Sequence, residues 1–174
     1  FLDVAQAHGW NVYGCELSKA QFQIVSARHQ NICNNELNKC GFRPDYFDVI
    51  TMYDLLEHLA SPKDFLQEIH KVAKVGGILT AIMPDITSWP AKIFRKYWIN
   101  FTRMHVYYFS PRTLTGLLER SGFKVIKIHR HKRIIKLGVA IEWMRKRPLL
   151  YKLMRLVFGN FLLKDVTIKT GLSG

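Results

Sequence analysis

"FDVITMYDLLEHLASPKDFLQEIHKVAKVGG", residues 47–77, carries three successive patterns in one uninterrupted run. Residues 47–52 are almost continuously apolar and of strand length, as a strand covered on both faces requires. After the segment "DLLEHL", Ser61 and Pro62 supply a cap and a first-turn proline for a helix, and Gly76-Gly77 supply its stop. A second strand, apolar except for Thr80, occupies 78–83 and closes at Pro84-Asp85. Strand, helix and strand in this order imply a right-handed crossover between parallel neighbours.

The same alternation extends outward in both directions. Upstream, residues 1–8 read as the tail of a helix stopped by Gly9, followed by a strand at 10–15. Ser18 caps a helix over 18–30, and a short strand at 31–33 runs into the polar stretch "NNELNKCGFRPD". Downstream, the aromatic-rich segment 86–109 precedes a helix that starts at Ser110-Pro111 and stops at Gly122, then a strand at 123–128. The expected architecture is therefore a doubly wound α/β domain with helices on both faces of a parallel sheet. Ligands bind beyond the carboxyl ends of the strands in such a domain. That rule singles out Glu16-Leu17, Asn34-Asn35-Glu36, Tyr53-Asp54 with Glu57-His58, and Pro84-Asp85.

Composition limits the alternatives. A chain of 174 residues with 48% hydrophobic and 22% charged residues has the make-up of one globular domain and not of a disordered segment. It has no apolar run long enough to span a bilayer. Cys15, Cys33 and Cys40 form no C-x-x-C pair, so they are expected to be small, reduced, buried residues of a cytoplasmic protein. The net charge of +13 is uneven: acids outnumber bases through about residue 60, whereas Glu142 and Asp165 are the only acids from Lys124 onward. This asymmetry suits an anionic partner, a membrane surface or nucleic acid, or else a solvated basic face. In the tail, Leu150, Leu153, Met154, Val157 and Phe161 share one helical face, the pattern of a basic amphipathic helix that lies on a membrane or packs on protein.

Three blocks in this order, "VYGCELS", residues 47–77 and "HVYYFSPRTLTGLLERSGFKV", resemble the class I S-adenosylmethionine-dependent methyltransferases. The nearer likeness is to the ubiquinone-type and "methyltransferase domain 23" small-molecule branch. The likeness covers residues 1–135, which form the expected methyltransferase domain, and leaves 136–174 as a basic amphipathic segment. It implies S-adenosyl-L-methionine as cofactor, with Glu16 on its ribose hydroxyls and Leu17 against its adenine. A carboxylate suits the ribose because each oxygen can accept one hydroxyl proton. Asn35, Glu36 and Leu37 are implied near the adenine amino group, and Thr51, Met52 and Tyr53 along the methionine portion. Glu16 also has a simpler reading, as an acid placed at a helix N-terminus by the dipole. In relatives a glycine-rich turn after the first strand supports the cofactor and a further strand closes the sheet. Both are expected to lie outside residues 1–174, so this sequence is expected to be a fragment that holds half of a cofactor site and binds the cofactor weakly or not at all.

Methyl transfer from a sulfonium is an in-line displacement in which the donor is already activated. The protein aligns the reactants and excludes water. A hydroxyl acceptor needs a proton acceptor, and His58 and His105 are the candidates, with a structural role for His105 as the alternative. The expected reaction is methylation, at oxygen, of a small-molecule or lipid-linked acceptor. The segment 86–109 serves either as a substrate lid or as ordinary packing. No metal site is assigned: His129 and His131 of "HRHKR" alternate along a strand without a nearby carboxylate and read as a basic strand end. A basic RNA-binding protein of methyltransferase-like fold is the second reading, supported by aromatics among bases at 94–108.

Overall fold

The computed structural model describes residues 1–129, 133–136, 152 and 167–170. The elements run α1 Leu2–Ala7, β1 Gly14–Cys15, α2 Lys19–Ser26, β2 Ile32–Cys33, β3 Phe47–Tyr53, α3 Pro62–Val72, β4 Ala73–Ile82, α4 Trp89–Phe94, α5 Pro111–Arg120, β5 Arg133–Lys136 and β6 Thr167–Thr170. Two compact units emerge. The first comprises Phe1–Tyr53, Ser61–Ile82 and Arg120–Phe123, and the second Asp54–Ala60, Met83–Glu119 and Lys124–Gly174.

The first unit carries the α/β alternation. β1 and β2 pair in parallel with Gly14 opposite Ile32 and Cys15 opposite Cys33. β3 and β4 also pair in parallel, with Thr51, Met52 and Tyr53 opposite Thr80, Ala81 and Ile82. Each pair is joined through a helix, as parallel neighbours must be. Ser18 caps α2, its side chain accepting the Gln21 N–H at 3.4 Å. α3 buries Pro62, Leu66 and Ile69, spaced to lie along one face, while its acidic and basic residues stay on the other. Met52 of β3 is buried as well. Around the start of β3, Tyr13, Phe42, Tyr46 and Phe47 form a cluster of edge-to-face rings with centroids 5.0–6.1 Å apart.

Several expected boundaries move. Residues 10–13 lie outside regular structure, and β1 is only its last two residues. Helix α3 ends at Val72 and not at the glycine pair, because the chain is captured at once by β3: Ala73 pairs with Phe47, and the next pairing joins Ile78 to Val49. The intervening residues form a bulge that only glycines fit. Gly76 has a φ of +79°, and a Cβ on Gly77 would meet the Lys74 carbonyl oxygen at 2.8 Å and that of Phe47 at 3.1 Å. Gly122 stops α5 as expected, with a φ of +94° and the His70 ring 2.8 Å from where a Cβ would stand. Residues 123–128, expected as a strand, make no regular ladder.

The cysteines also depart from expectation. Cys33 and Cys40 are joined as a disulfide, so they are not reduced thiols. The 3-10 turn Leu37–Lys39 folds the chain back after β2 and returns Cys40 to the strand end. Cys15 remains a thiol but is exposed and not buried as expected, its sulfur 3.4 Å from that of Cys40.

In the second unit, a 3-10 turn at Leu56–His58 buries Leu56 and Glu57. Ala91, Trp98 and Phe109 are its other buried apolar residues among the described residues. Asp85 bridges Phe109 in parallel fashion, and the Ile86 N–H donates to the Phe109 carbonyl at 2.9 Å. The two ends of the aromatic segment are thereby held together. Helix α5 opens on a reciprocal cap: the Thr113 N–H donates to Ser110 Oγ at 3.1 Å, and the Ser110 N–H donates to Thr113 Oγ1 at 2.9 Å. β5 and β6 pair antiparallel from Arg133 with Thr170 to Lys136 with Thr167. Of the expected tail segment 136–174, the amphipathic face at Leu150, Leu153, Met154, Val157 and Phe161 lies outside the described residues, as does His131. Among the described residues no helix is long and apolar enough to cross a membrane.

Candidate functional site

Within the first unit, the residues assigned to the cofactor stand just after, or at the end of, β1, β2 and β3, which belong to two separate parallel pairs. Glu16 follows β1 directly, and its N–H donates to the Cys33 carbonyl at 2.9 Å, which continues the β1–β2 ladder. Its side chain turns toward the start of α2: Oε1 accepts the Ser18 N–H at 2.8 Å. The simpler reading of this acid, a partner for donors at a helix N-terminus, is thus present in the geometry for one of its two oxygens. Asn34 locks the loop from the other side, its amide donating to the Glu16 carbonyl at 2.6 Å and the Leu17 carbonyl at 3.3 Å. With that amide committed to backbone, Asn35 and Glu36 are the polar side chains beyond β2 that lie outside the brace. Leu17 is 66% exposed, an unusual position for a leucine beside a strand end.

Asn35 Oδ1 accepts the following residue's N–H at 3.0 Å, and Glu36 pairs with Lys39 at 2.7 Å across one turn. Leu37 begins that turn and is half-buried. At the end of β3, Thr51 is half-buried, Met52 is buried and Tyr53 is exposed with its edge against Phe1, ring centroids 5.7 Å apart.

The second unit holds the two histidines assigned to the acceptor side. Asp54 enters with a φ of +46°, a conformation its short polar side chain tolerates, and turns the chain into Leu56–His58. The Glu57 carbonyl accepts two N–H groups from the aromatic segment, Val106 at 2.8 Å and Tyr107 at 3.1 Å. The Tyr107 hydroxyl donates to the Ala60 carbonyl at 3.1 Å, and the Tyr108 hydroxyl donates to the Thr102 carbonyl at 3.0 Å. These bonds bring His105 to His58, with ring centroids 4.7 Å apart and planes at 80°. His58 Nδ1 lies 3.0 Å from the Met104 carbonyl, to which it can only donate.

Sequence reasoning treated Glu57 as an accompaniment to His58. The structure gives it a larger part: it is 2% exposed, and neither carboxylate oxygen has a hydrogen-bond partner among the described residues. His105 Nδ1 is buried and unpartnered in the same sense. An acid between leucines in "DLLEHL" was the available signal, because an apolar frame around a carboxylate predicts burial. Buried carboxylates without partners are costly and are retained where something offsets them.

Known proteins similar to this chain point in one direction. A family model for a methyltransferase domain matches residues 1–128. The chain is 26% identical over 116 residues to the chloroplastic 2-methyl-6-phytyl-1,4-hydroquinone methyltransferase 1 of Oryza sativa subsp. japonica, a match covering 66% of this chain. It spans 33% of that relative's length. Among solved structures, a SAM-dependent methyltransferase from Archaeoglobus fulgidus superposes with a TM-score of 0.66 at 18% identity, covering 89% of this chain and 74% of the other. Another, described as a possible histamine N-methyltransferase from Thermotoga maritima, gives a TM-score of 0.58 at 20% identity, covering 70% and 58%. At these identities the structural likeness establishes the fold, a Rossmann-like α/β arrangement.

Proposed function

Since the chain belongs to the methyltransferase-domain family whose model it matches, we propose that it serves methyl transfer from S-adenosyl-L-methionine to a small-molecule or lipid-linked hydroxyl. The observation that carries this reading is the fixed carboxylate at the end of β1. Glu16 is held from both sides: one carboxylate oxygen accepts the Ser18 N–H, and its backbone carbonyl accepts the Asn34 side-chain amide. A preorganised acid beyond a parallel strand is the group that recognises a ribose diol in this architecture. Exposed Leu17 gives the adenine an apolar surface, with Asn35, Glu36 and Leu37 beside it and Thr51, Met52 and Tyr53 toward the methionine end.

On the acceptor side, His58 and His105 supply imidazole nitrogens for the hydroxyl proton that must leave as the methyl arrives. The hydroquinone named for the rice relative is a phenolic small molecule, which agrees with a small-molecule acceptor here. We also propose a cytoplasmic location with peripheral membrane contact through the basic tail, for which the charge of +13 is the support.

NMR titration with S-adenosylhomocysteine tests the cofactor side and reads weak binding as well as tight. Amide shifts are expected at Glu16, Leu17, Asn35, Glu36, Leu37 and Thr51, Met52, Tyr53. Glu16→Ala is expected to weaken saturation at least about tenfold, on the scale of a lost charge-assisted pair of hydrogen bonds. Unchanged affinity in that variant, or no shifts at these positions, overturns the assignment.

A further inference from the structure

We propose that Glu57, His58 and His105 form a binding site for a first-row divalent transition ion. One carboxylate oxygen and one nitrogen from each imidazole lie within 4.8 Å of one another. For a tetrahedral ion with bonds of about 2.0–2.1 Å, the ligand atoms stand about 3.3 Å apart, so the three atoms must draw together by up to about 1.5 Å to close on an ion.

Three further observations point to a cation here. Both oxygens of Glu57 are buried without a partner among the described residues, and so is Nδ1 of His105. A divalent ion satisfies several such lone pairs at once, which a single buried water cannot do as well for a carboxylate. His58 donates from Nδ1 to the Met104 carbonyl, so in the neutral imidazole it is Nε2 that carries the lone pair for a metal. A carbonyl behind a ligating histidine is the usual outer support of a metal site. Finally, the scaffold is rigid: the Glu57 carbonyl takes N–H groups from Val106 and Tyr107, so the two ligand-bearing segments are tied across the site itself.

Two imidazoles and one carboxylate make a borderline donor set that favours zinc, cobalt, iron or manganese over calcium or magnesium. Three protein ligands also leave coordination positions open, the arrangement of a site that acts on a ligand and not one that only stabilises a fold. An ion held there takes the two histidines as its ligands and so replaces the proton-accepting role given to them above, while the acceptor side itself stays where that reading puts it. The acceptor hydroxyl, bound to the ion as a Lewis base, then gives up its proton to solvent more readily, in place of direct transfer to imidazole.

The test uses Co²⁺ alone, without cofactor or acceptor, so that its result is independent of methyl transfer. One equivalent is expected to bind with a ligand-field absorption band in the visible, and Zn²⁺ is expected to displace it. Glu57→Gln and His105→Ala are each expected to weaken Co²⁺ binding at least about tenfold, the scale seen on disturbing such sites. His8→Ala, remote from the cluster in sequence and element, serves as the control and is expected to bind as the wild type does. Circular dichroism separates loss of ligand from loss of fold, and for any variant that unfolds, the shift of imidazole resonances of His58 and His105 in the wild type on adding Zn²⁺ decides instead. No ligand-field band in the wild type, or a band retained in folded Glu57→Gln and His105→Ala, overturns the proposal.

Discussion

Cys15 shows how strongly one residue depends on neighbours that are far away in sequence. As the last residue of β1 it faces Cys33 in the ladder, and the return of Cys40 sets a sulfur 3.4 Å from its own. Although the residue is exposed, partial desolvation of its thiol by the surrounding chain raises the thiol pKa above the ordinary value. The sign of the consequence is fixed: the folded state disfavours the thiolate, so the unfolded chain ionises first as pH rises. Stability from this group is intact below the ordinary thiol range and declines as pH climbs through the raised one. Alkylation of Cys15 by iodoacetamide is expected to lag behind that of a free cysteine at neutral pH and to rise only under alkaline conditions. A rate equal to that of a free thiol near neutrality contradicts this account. Glu16, one position on, was legible as a site candidate from its place after an apolar run. Its hydrogen bonds to Ser18 and Asn34 were not, since they depend on loop conformation.

At the scale of elements, α3 is the clearest case of sequence patterning becoming structure. Pro62, Leu66 and Ile69 share a buried face, and Leu66 is fully enclosed. Leu66→Ala is expected to destabilise by about 2–5 kcal/mol, the range for a fully buried leucine, read as a lower midpoint in chemical denaturation. A loss below about 1 kcal/mol would place this residue at a boundary and not in a core. The start of α3 was legible because Ser61-Pro62 act locally. Its end was not: Gly76-Gly77 look like a helix stop, yet the chain leaves the helix at Val72 because Phe47 of β3 pairs with Ala73. The glycines serve a bulge in β4 instead, a use that depends on the partner strand. The expected strand at 123–128 has no ladder partner among the described residues, and an extended segment becomes a strand only when such a partner is present.

Across the whole molecule, charge is the property that composition alone sets. With +13 overall and 26 basic against 13 acidic residues, association with polyanions is expected to be salt-sensitive. Co-sedimentation with vesicles containing anionic lipid is expected to fall steeply between low and physiological salt, and neutral vesicles are expected to retain little of the protein. Retention on RNA that exceeds retention on anionic vesicles at equal salt would favour the nucleic-acid reading over the membrane one.

The alternation of strands and helices through residue 82, the caps at Ser18 and Ser110, the start of α3 at Ser61-Pro62, the membership of the methyltransferase-domain family and the position of Glu16 after β1 were all determined by the sequence itself. These features rest on hydrophobic periodicity and short-range hydrogen bonding, which act between residues a few positions apart. What only the tertiary structure decided were the joining of Cys33 to Cys40, the glycine bulge in β4, and the burial of Glu57 beside His58 and His105. Each of these brings together atoms from separate segments, and whether a polar group is satisfied or left bare depends on which chain folds over it. For Glu57 the aromatic segment does the covering, and the same covering is what leaves an unpartnered carboxylate facing two imidazoles.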